Sequence, residues 1–233
     1  MIIKTGTTIV GLKYREGIVL AADTRATAGP VVADKNCSKI HKISDNIFCC
    51  GAGTAADTDR VTGMVAKELK LYQLKYGRIP RVAHAARRMS NHLHAHNGII
   101  GAALILGGVD ETGIHLYEIY PHGSTSQLKY ATLGSGSLAA MSALESGFRL
   151  DMEQEDAIQL ASTAVRAGIL NDLYSGSNID ICIIGSDESN VYYTDYRRNY
   201  EVVGFREPTM KIKYPKESIK VISYEIIDET IED

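Results

Sequence analysis

Twice along this chain a series of short apolar strands gives way to a pair of amphipathic helices, and that alternation limits the fold more tightly than any single motif. Residues 8–13 and 18–22 read as a hairpin turning at Glu16-Gly17, since β-branched and apolar residues stand on both sides of a turn pair. "GPVVADKN" and "SKIHKIS" continue as strands, and "NIFCCGAG" is an apolar strand ending in glycine. From Thr54 the period changes. Val61, Met64, Val65, Leu69 and Tyr72 recur at helical spacing, and Thr54 with Asp57 three residues on has the pattern of a capping box. Pro80 separates this helix from a second, over residues 81–96, because proline suits a first helical turn.

Two strands follow, "IGAALILGGV" and "GIHLYEIYP", joined by the turn residues Asp110 to Gly113. After "GSGS" the spacing predicts helices over residues 138–148 and 152–171, the second led by Asp151 and Gln154 at cap spacing. "NIDICIIG" and "NVYYTDY" close the pattern as strands. Helix pairs set between antiparallel strands predict an α+β fold in which two helix layers enclose two sheets, within one domain.

The 233 residues, 45% of them hydrophobic and 23% charged, suffice for one large domain with a sizeable core. A net charge of -3 argues against a nucleic-acid binder, which would carry a basic field. No apolar run reaches the length of a membrane span, since the stretch from Ile99 to Val109 is broken by glycines. The first six residues are not followed by the long apolar stretch of a signal peptide. Cys37, Cys49, Cys50 and Cys182 form no CxxC pair, so free buried thiols in a reducing compartment are expected rather than a zinc knuckle or a redox dithiol.

Several motifs fall short of a function. His92, His94 and His96 alternate along a predicted helix, where successive alternate positions point to different faces, so no metal site is expected. "GAGTAAD" and "LGSGSLAAM" are glycine-rich at helix starts but lack the lysine and spacing of a phosphate-binding loop. Ser135 has glycine directly on both sides, which does not fit the serine elbow G-x-S-x-G. The pairs Arg87-Arg88 and Arg197-Arg198 read as solvated faces.

One constellation is left: Thr7, Asp23 at the end of an early strand, Lys39 soon after, and Gly53 before a helix. Each alone is ordinary; Thr7 and Thr8 suit the start of a strand, and Lys39 suits a surface. Together they can perform acyl transfer if the bond before Thr7 is cut. The freed α-amino group, with a reference pKa of about 7.7–8.0, is then a base for the poorly nucleophilic threonine hydroxyl. Lys39 would bring positive charge to that hydroxyl, Asp23 would hold the ammonium in place, and the Gly53 N–H would receive an oxyanion.

The stretch from "TTIVGLKYREGIVLAADTR" through "NCSKIHKIS" resembles the start of a mature proteasome beta subunit, closest to the trypsin-like second type. The likeness continues through "CGAGTAADTDRV", "IGAALILGGVDETGIHLYEIYPHGSTS", "LGSGSLAAMSALES" and "AGILNDLYSGSNIDICII", covering nearly everything from Thr7 to Ile184. That family belongs to the N-terminal-nucleophile hydrolases, whose four-layer αββα sandwich agrees with the element order. By matching motif, the resemblance implies Thr7 as nucleophile, Asp23 and Lys39 as the charged pair, and Gly53 as oxyanion donor. Ser135, Asp172 and Ser175 would surround the nucleophile and its amine.

Thr27, Gly53 and Ala55 correspond to the backbone positions that hold substrate as an added β-strand. The first specificity pocket would be lined by Ala26, Cys37, His41, Gly51, Ala55 and Asp59. Gly51 leaves that pocket deep and Asp59 puts a carboxylate near its floor, which favours cleavage after Arg or Lys. Asp57 is assigned to capping its helix.

The chain departs from the family in three places. Tyr174 stands where "NDLYSGS" would usually carry glycine, the tail after Gly204 lacks the family's usual run, and the leader Met1 to Gly6 is short. The resemblance implies residues 1–6 as a propeptide removed by autolysis at Gly6-Thr7, residues 7–204 as the catalytic domain, and residues 205–233 as an arm on a neighbouring beta subunit. Ile219, Val221 and Ile226-Ile227 in that arm read as extended strand.

The function expected is a threonine endopeptidase of the core particle, with no cofactor or metal, cleaving unfolded and mostly ubiquitin-tagged proteins after basic residues in cytoplasm and nucleus. Its partners would be other beta subunits in a heptameric ring, an alpha ring, an opposite beta ring and polypeptide substrates, with no nucleic acid or membrane. The alternative is a non-catalytic structural subunit that retains its leader.

Overall fold

A computed structural model describes residues 6–185 and the backbone of residues 191–198. Residues 1–5 of the expected propeptide, the expected boundary at 204 and the expected arm over 205–233 lie outside the described residues. The chain runs through β1 (Ile9–Tyr14), β2 (Gly17–Asp23), β3 (Ala26–Ala28), β4 (Val31–Asp34), β5 (Ile40–Ser44) and β6 (Ile47–Gly53) before the first helix pair, α1 (Ala55–Tyr76) and α2 (Val82–Ala95). Strands β7 (Ala102–Asp110), β8 (Gly113–Ile119), β9 (Thr125–Gln127) and β10 (Tyr130–Leu133) lead to the second pair, α3 (Ser137–Gly147) and α4 (Gln154–Asn171), and β11 (Asn178–Gly185) and β12 (Val191–Arg198) follow.

The strands form two antiparallel five-stranded sheets, ordered β10-β1-β2-β11-β12 and β5-β6-β7-β8-β9, with β3-β4 as a separate hairpin. Three hydrophobic clusters glue four layers together. Val10, Leu12, Val19 and Ala21 pack against Leu144, Ala161 and Val165 of α3 and α4. Cys49, Leu104 and Leu106 pack against Val65, Leu69, Met89 and Leu93 of α1 and α2. Between the sheets lie Ile9, Ile18, Leu20, Ile105, Leu116 and Ile184. Neighbours such as Val19 and Leu20 therefore belong to different cores, which is why these strands read as continuous apolar runs rather than half-polar ones. A Cβ on Gly11 would lie 2.8 Å from Ile105 Cγ2 and 2.9 Å from Leu116 Cδ1, so glycine there lets the sheets approach. This is the αββα sandwich of the N-terminal-nucleophile hydrolases.

Three expectations need correction. Thr54 is the N-cap of α1 but makes no side-chain cap hydrogen bond; the Asp57 carboxylate instead accepts from Gly101 N at 2.9 Å, tying α1 to the start of β7. The N-cap of α4 is Glu153, also without a side-chain cap hydrogen bond, rather than Asp151. Thr8 precedes β1 and is not a strand residue. The short strands β3, β9 and β10 add to the expected set.

Antiparallel order brings the site together. The start of β1, the end of β2, the end of β10 and the start of β11 fall at one end of the first sheet, placing residues 7–8, 23, 134–136 and 172–177 side by side. Lys39, just before β5, and Gly53, ending β6, reach the same place from the second sheet.

Candidate active site

Thr7 is buried, and its hydroxyl donates to the Gly6 carbonyl oxygen at 2.7 Å. Lys39 Nζ lies 3.1 Å from Thr7 Oγ1, 3.1 Å from Gly6 O and 2.7 Å from Asp23 Oδ1. An ammonium has three protons, and here three acceptors meet it. Asp23, fully buried, also accepts from Thr8 N at 2.9 Å and from Gly176 N at 3.0 Å. A buried ion pair is tolerable only when its remaining hydrogen-bonding groups find partners, and here all three ammonium protons and both carboxylate oxygens do.

A second network lies around the Thr7 nitrogen. Thr7 N donates to Ser135 Oγ at 3.1 Å, and Ser135 Oγ donates to Asp172 Oδ2 at 2.6 Å. Ser175 donates to the same oxygen twice, from Oγ at 2.6 Å and from N at 3.0 Å. Since the Ser175 hydroxyl proton is committed there, the 2.8 Å contact between Thr8 Oγ1 and Ser175 Oγ has Thr8 as donor. Burial pushes the Asp172 carboxyl up, but the hydrogen bonds from Ser135, Ser175 and the Tyr174 amide outweigh it and hold the group below its usual range.

Thr8 and Arg25 are members that sequence reasoning missed. Room for Thr8 is made by Gly136 and Gly168, where any Cβ would overlap the threonine side chain. Arg25 Nη1 donates to Ser175 O at 3.4 Å, and its guanidinium lies against Gly176. Neither had a local signal: a threonine before a strand reads as a strand former, and an arginine after Asp23 reads as solvated.

Beside Thr7 opens a cavity of about 120 Å³. Its walls include the expected Ala26, Thr27, Cys37, His41, Gly51, Gly53, Ala55 and Asp59, with Gly6, Arg25, Ser38, Lys39 and Thr58 in addition. Gly53 holds φ +118, and a Cβ there would collide with the Gly101 carbonyl oxygen, so glycine is needed on both counts. Thr54 intervenes between Gly53 and α1, so Gly53 ends a strand rather than starting the helix.

Gly51 has a role beyond depth: a Cβ there would lie 2.8 Å from Thr58 Cβ, so its absence lets α1 close over the cavity. Asp59 is not at a floor. Its side chain is 68% exposed at the cavity wall, 3.7 Å from His41 Nδ1. Burial pulls the His41 pKa down against the pull of Asp59, leaving a neutral imidazole at neutral pH. Gly6 N donates to Thr27 Oγ1 at 3.1 Å, a bond to the Thr27 side chain rather than to the backbone expected to hold a substrate strand.

Elsewhere the histidines behave differently from expectation. His92 and His96, four residues apart, share a helix face with ring centroids 4.6 Å apart, while His94 turns to the His122 carbonyl oxygen. Among the described residues no three metal-ligating side chains form a metal site. Cys49, Cys50 and Cys182 are buried, and burial raises their thiol pKa values, that of Cys182 to about 12.

Comparison with known proteins gives a match of residues 3–184 to the family model "Proteasome subunit". The chain is 56% identical over 228 residues to a probable proteasome subunit beta type-2 of Encephalitozoon cuniculi, covering 98% of each. It is 50% identical over 227 residues to proteasome subunit beta type-2 of Saccharomyces cerevisiae, covering 96% of this chain and 85% of that one. Proteasome subunit beta type-7-B of Arabidopsis thaliana is 54% identical over 198 residues, 85% of this chain and 70% of the relative.

Proposed function

This chain belongs to the proteasome subunit family, and from that premise we propose that it is a catalytic beta subunit, a threonine endopeptidase whose nucleophile is Thr7. Membership implies assembly with other proteasome subunits in a core particle. The reading adds a heptameric beta ring, an alpha ring outside it and a second beta ring facing it, in cytoplasm and nucleus. The observation that carries it is the position of Lys39, whose ammonium meets Thr7 Oγ1 and Gly6 O at once.

In the precursor, Thr7 Oγ1 attacks the Gly6 carbonyl carbon, and the charge that develops on Gly6 O forms against the Lys39 ammonium. The C–N bond breaks to leave an ester on Thr7 and a free amine, and water then releases residues 1–6 as a carboxylate. In turnover, the amine takes the hydroxyl proton as Oγ1 attacks a substrate carbonyl, then gives it to the departing nitrogen. Water hydrolyses the resulting ester. Ser135, Asp172 and Ser175 hold the amine in place, and Lys39, itself held by Asp23, favours the alkoxide.

Asp59 on the cavity wall and a neutral His41 support a preference for Arg or Lys before the scissile bond, in unfolded and mostly ubiquitin-tagged substrates. The test uses assembled particles and an Arg-terminated fluorogenic peptide. Thr7→Ala is expected to abolish this turnover and its own processing. Asp59→Ala is expected to lower it roughly fivefold, since an exposed charge pair is worth up to ~1 kcal/mol. Unchanged turnover in Thr7→Ala particles contradicts the nucleophile, and unchanged turnover in Asp59→Ala particles removes Asp59 from the pocket.

A further inference from the structure

The cavity beside Thr7 sets a histidine and a carboxylate on facing elements. His41 belongs to β5 and Asp59 to α1. Gly51 sets how closely the helix approaches: with no Cβ there, Thr58 comes near, and Asp59, the next residue, stands at the cavity wall. His41 Nδ1 and Asp59 Oδ1 are 3.7 Å apart, too far for a hydrogen bond but near enough that a charge on one acts on the other. While the imidazole is neutral, the carboxylate is left for a cation that enters the cavity. Once protonated, the imidazole pairs with that same carboxylate and puts a positive charge on the cavity wall.

The other titratable and charged groups around His41 do not change in the same way. Cys37, before β5, carries a thiol that burial pushes up, so it stays neutral in acid. Cys49, opposite His41 on β6, is buried and its thiol is pushed up for the same reason. Lys39 is committed to Asp23 at 2.7 Å, Arg25 donates to Ser175 O at 3.4 Å, and Lys42 on β5 itself pairs with Asp45 at 2.8 Å. Burial lowers the His41 pKa and Asp59 raises it, burial being the larger cause. His41 therefore takes up its proton in mild acid, below the ordinary histidine value of about 6.5.

We propose that His41 is a specificity-determining residue whose proton competes with a basic substrate side chain for Asp59, so that the preference for cleavage after Arg weakens in mild acid. The inference rests on the function proposed above, in which Asp59 meets the side chain before the scissile bond. The competition is reciprocal: an arginine in the pocket makes His41 harder to protonate. The test uses assembled particles and fluorogenic peptides with Arg or citrulline before the scissile bond, with turnover by Thr7→Ala particles subtracted. Citrulline keeps the length and shape of arginine without its charge. Both peptides need the same Thr7 amine and hydroxyl, so the ratio of their kcat/KM values cancels the titration of those groups. Native particles are expected to favour Arg about fivefold at pH 8, and that ratio is expected to fall about threefold by pH 5. His41→Asn, which takes up no proton at this position, should hold its ratio level over the same range. A native ratio above one that does not fall between pH 8 and pH 5 overturns the inference and leaves the pocket reading in place. An equal fall in His41→Asn does the same. A native ratio of one at pH 8, or no turnover of either peptide, overturns the function proposed above, and this inference with it.

Discussion

Two carboxylates flank Thr7 and are satisfied by different means. Asp23 is fully buried and faces the Lys39 ammonium at 2.7 Å, with two amides completing its shell. Asp172 is partly open and meets hydroxyls and amides alone. A buried ion pair cannot lose one member cheaply, because the other is left charged without water. A network of neutral dipoles at the edge of solvent degrades by steps. Loss of one partner is therefore expected to cost more on the charged side of Thr7 than on the side proposed to handle protons.

Lys39→Ala should give the largest effect. Removing the ammonium deprives both Thr7 Oγ1 and Gly6 O of their cation, so peptide turnover in assembled particles is expected to fall by roughly 10³-fold. Stability of the subunit should fall by about 3–5 kcal/mol, read as poorer recovery of assembled particle. Adding Asp23→Asn to Lys39→Ala should cost less than the sum of the two, since the pair acts as a unit. Turnover within tenfold of native would break the comparison.

Asp172→Asn should be milder, a loss of about 10²-fold in kcat with intact assembly. Its pH dependence follows from sign. The folded pKa of Asp172 lies below the ordinary value. The group therefore adds stability that is fully present above about pH 4 and lost as pH falls through the folded value. The stability gap between native and Asp172→Asn chains should stay level from about pH 8 to about pH 5 and close only in stronger acid. A gap that closes near neutrality would show that Asp172 is not held by these hydrogen bonds.

Arg88→Ala sharpens the comparison from outside. Arg88 and Glu68 also meet at 2.7 Å, but their side chains are 47% and 33% exposed. Distance is the same as in the Lys39–Asp23 pair, and burial differs. A change of about 0.5 kcal/mol or less in stability, with turnover unaltered, is expected.

The sandwich was legible because its sheets are buried on both faces and its helices show one apolar stripe each. Caps were less so: Thr54 and Asp57 have the spacing of a capping box, but the Gly101 amide from β7 takes the carboxylate. Such competition is decided by tertiary packing, which a local pattern does not contain. β10, four residues with no marked alternation, had no local signal, yet it delivers Gly134 to Gly136 beside Thr7. The set Thr7, Asp23, Lys39 and Gly53 was readable as a possibility from chemistry, and the resemblance to a family ordered it. Thr8 and Arg25 stayed hidden because their partners, Ser175 and its neighbours, lie roughly at the other end of the sequence.

The central claim is that the network around the Thr7 nitrogen is built for a free amine. Intact mass and N-terminal sequencing of this subunit from assembled particles test it directly. The account predicts a chain that begins at Thr7. A chain in mature, peptide-cleaving particles that still carries Gly6 on Thr7 would contradict it.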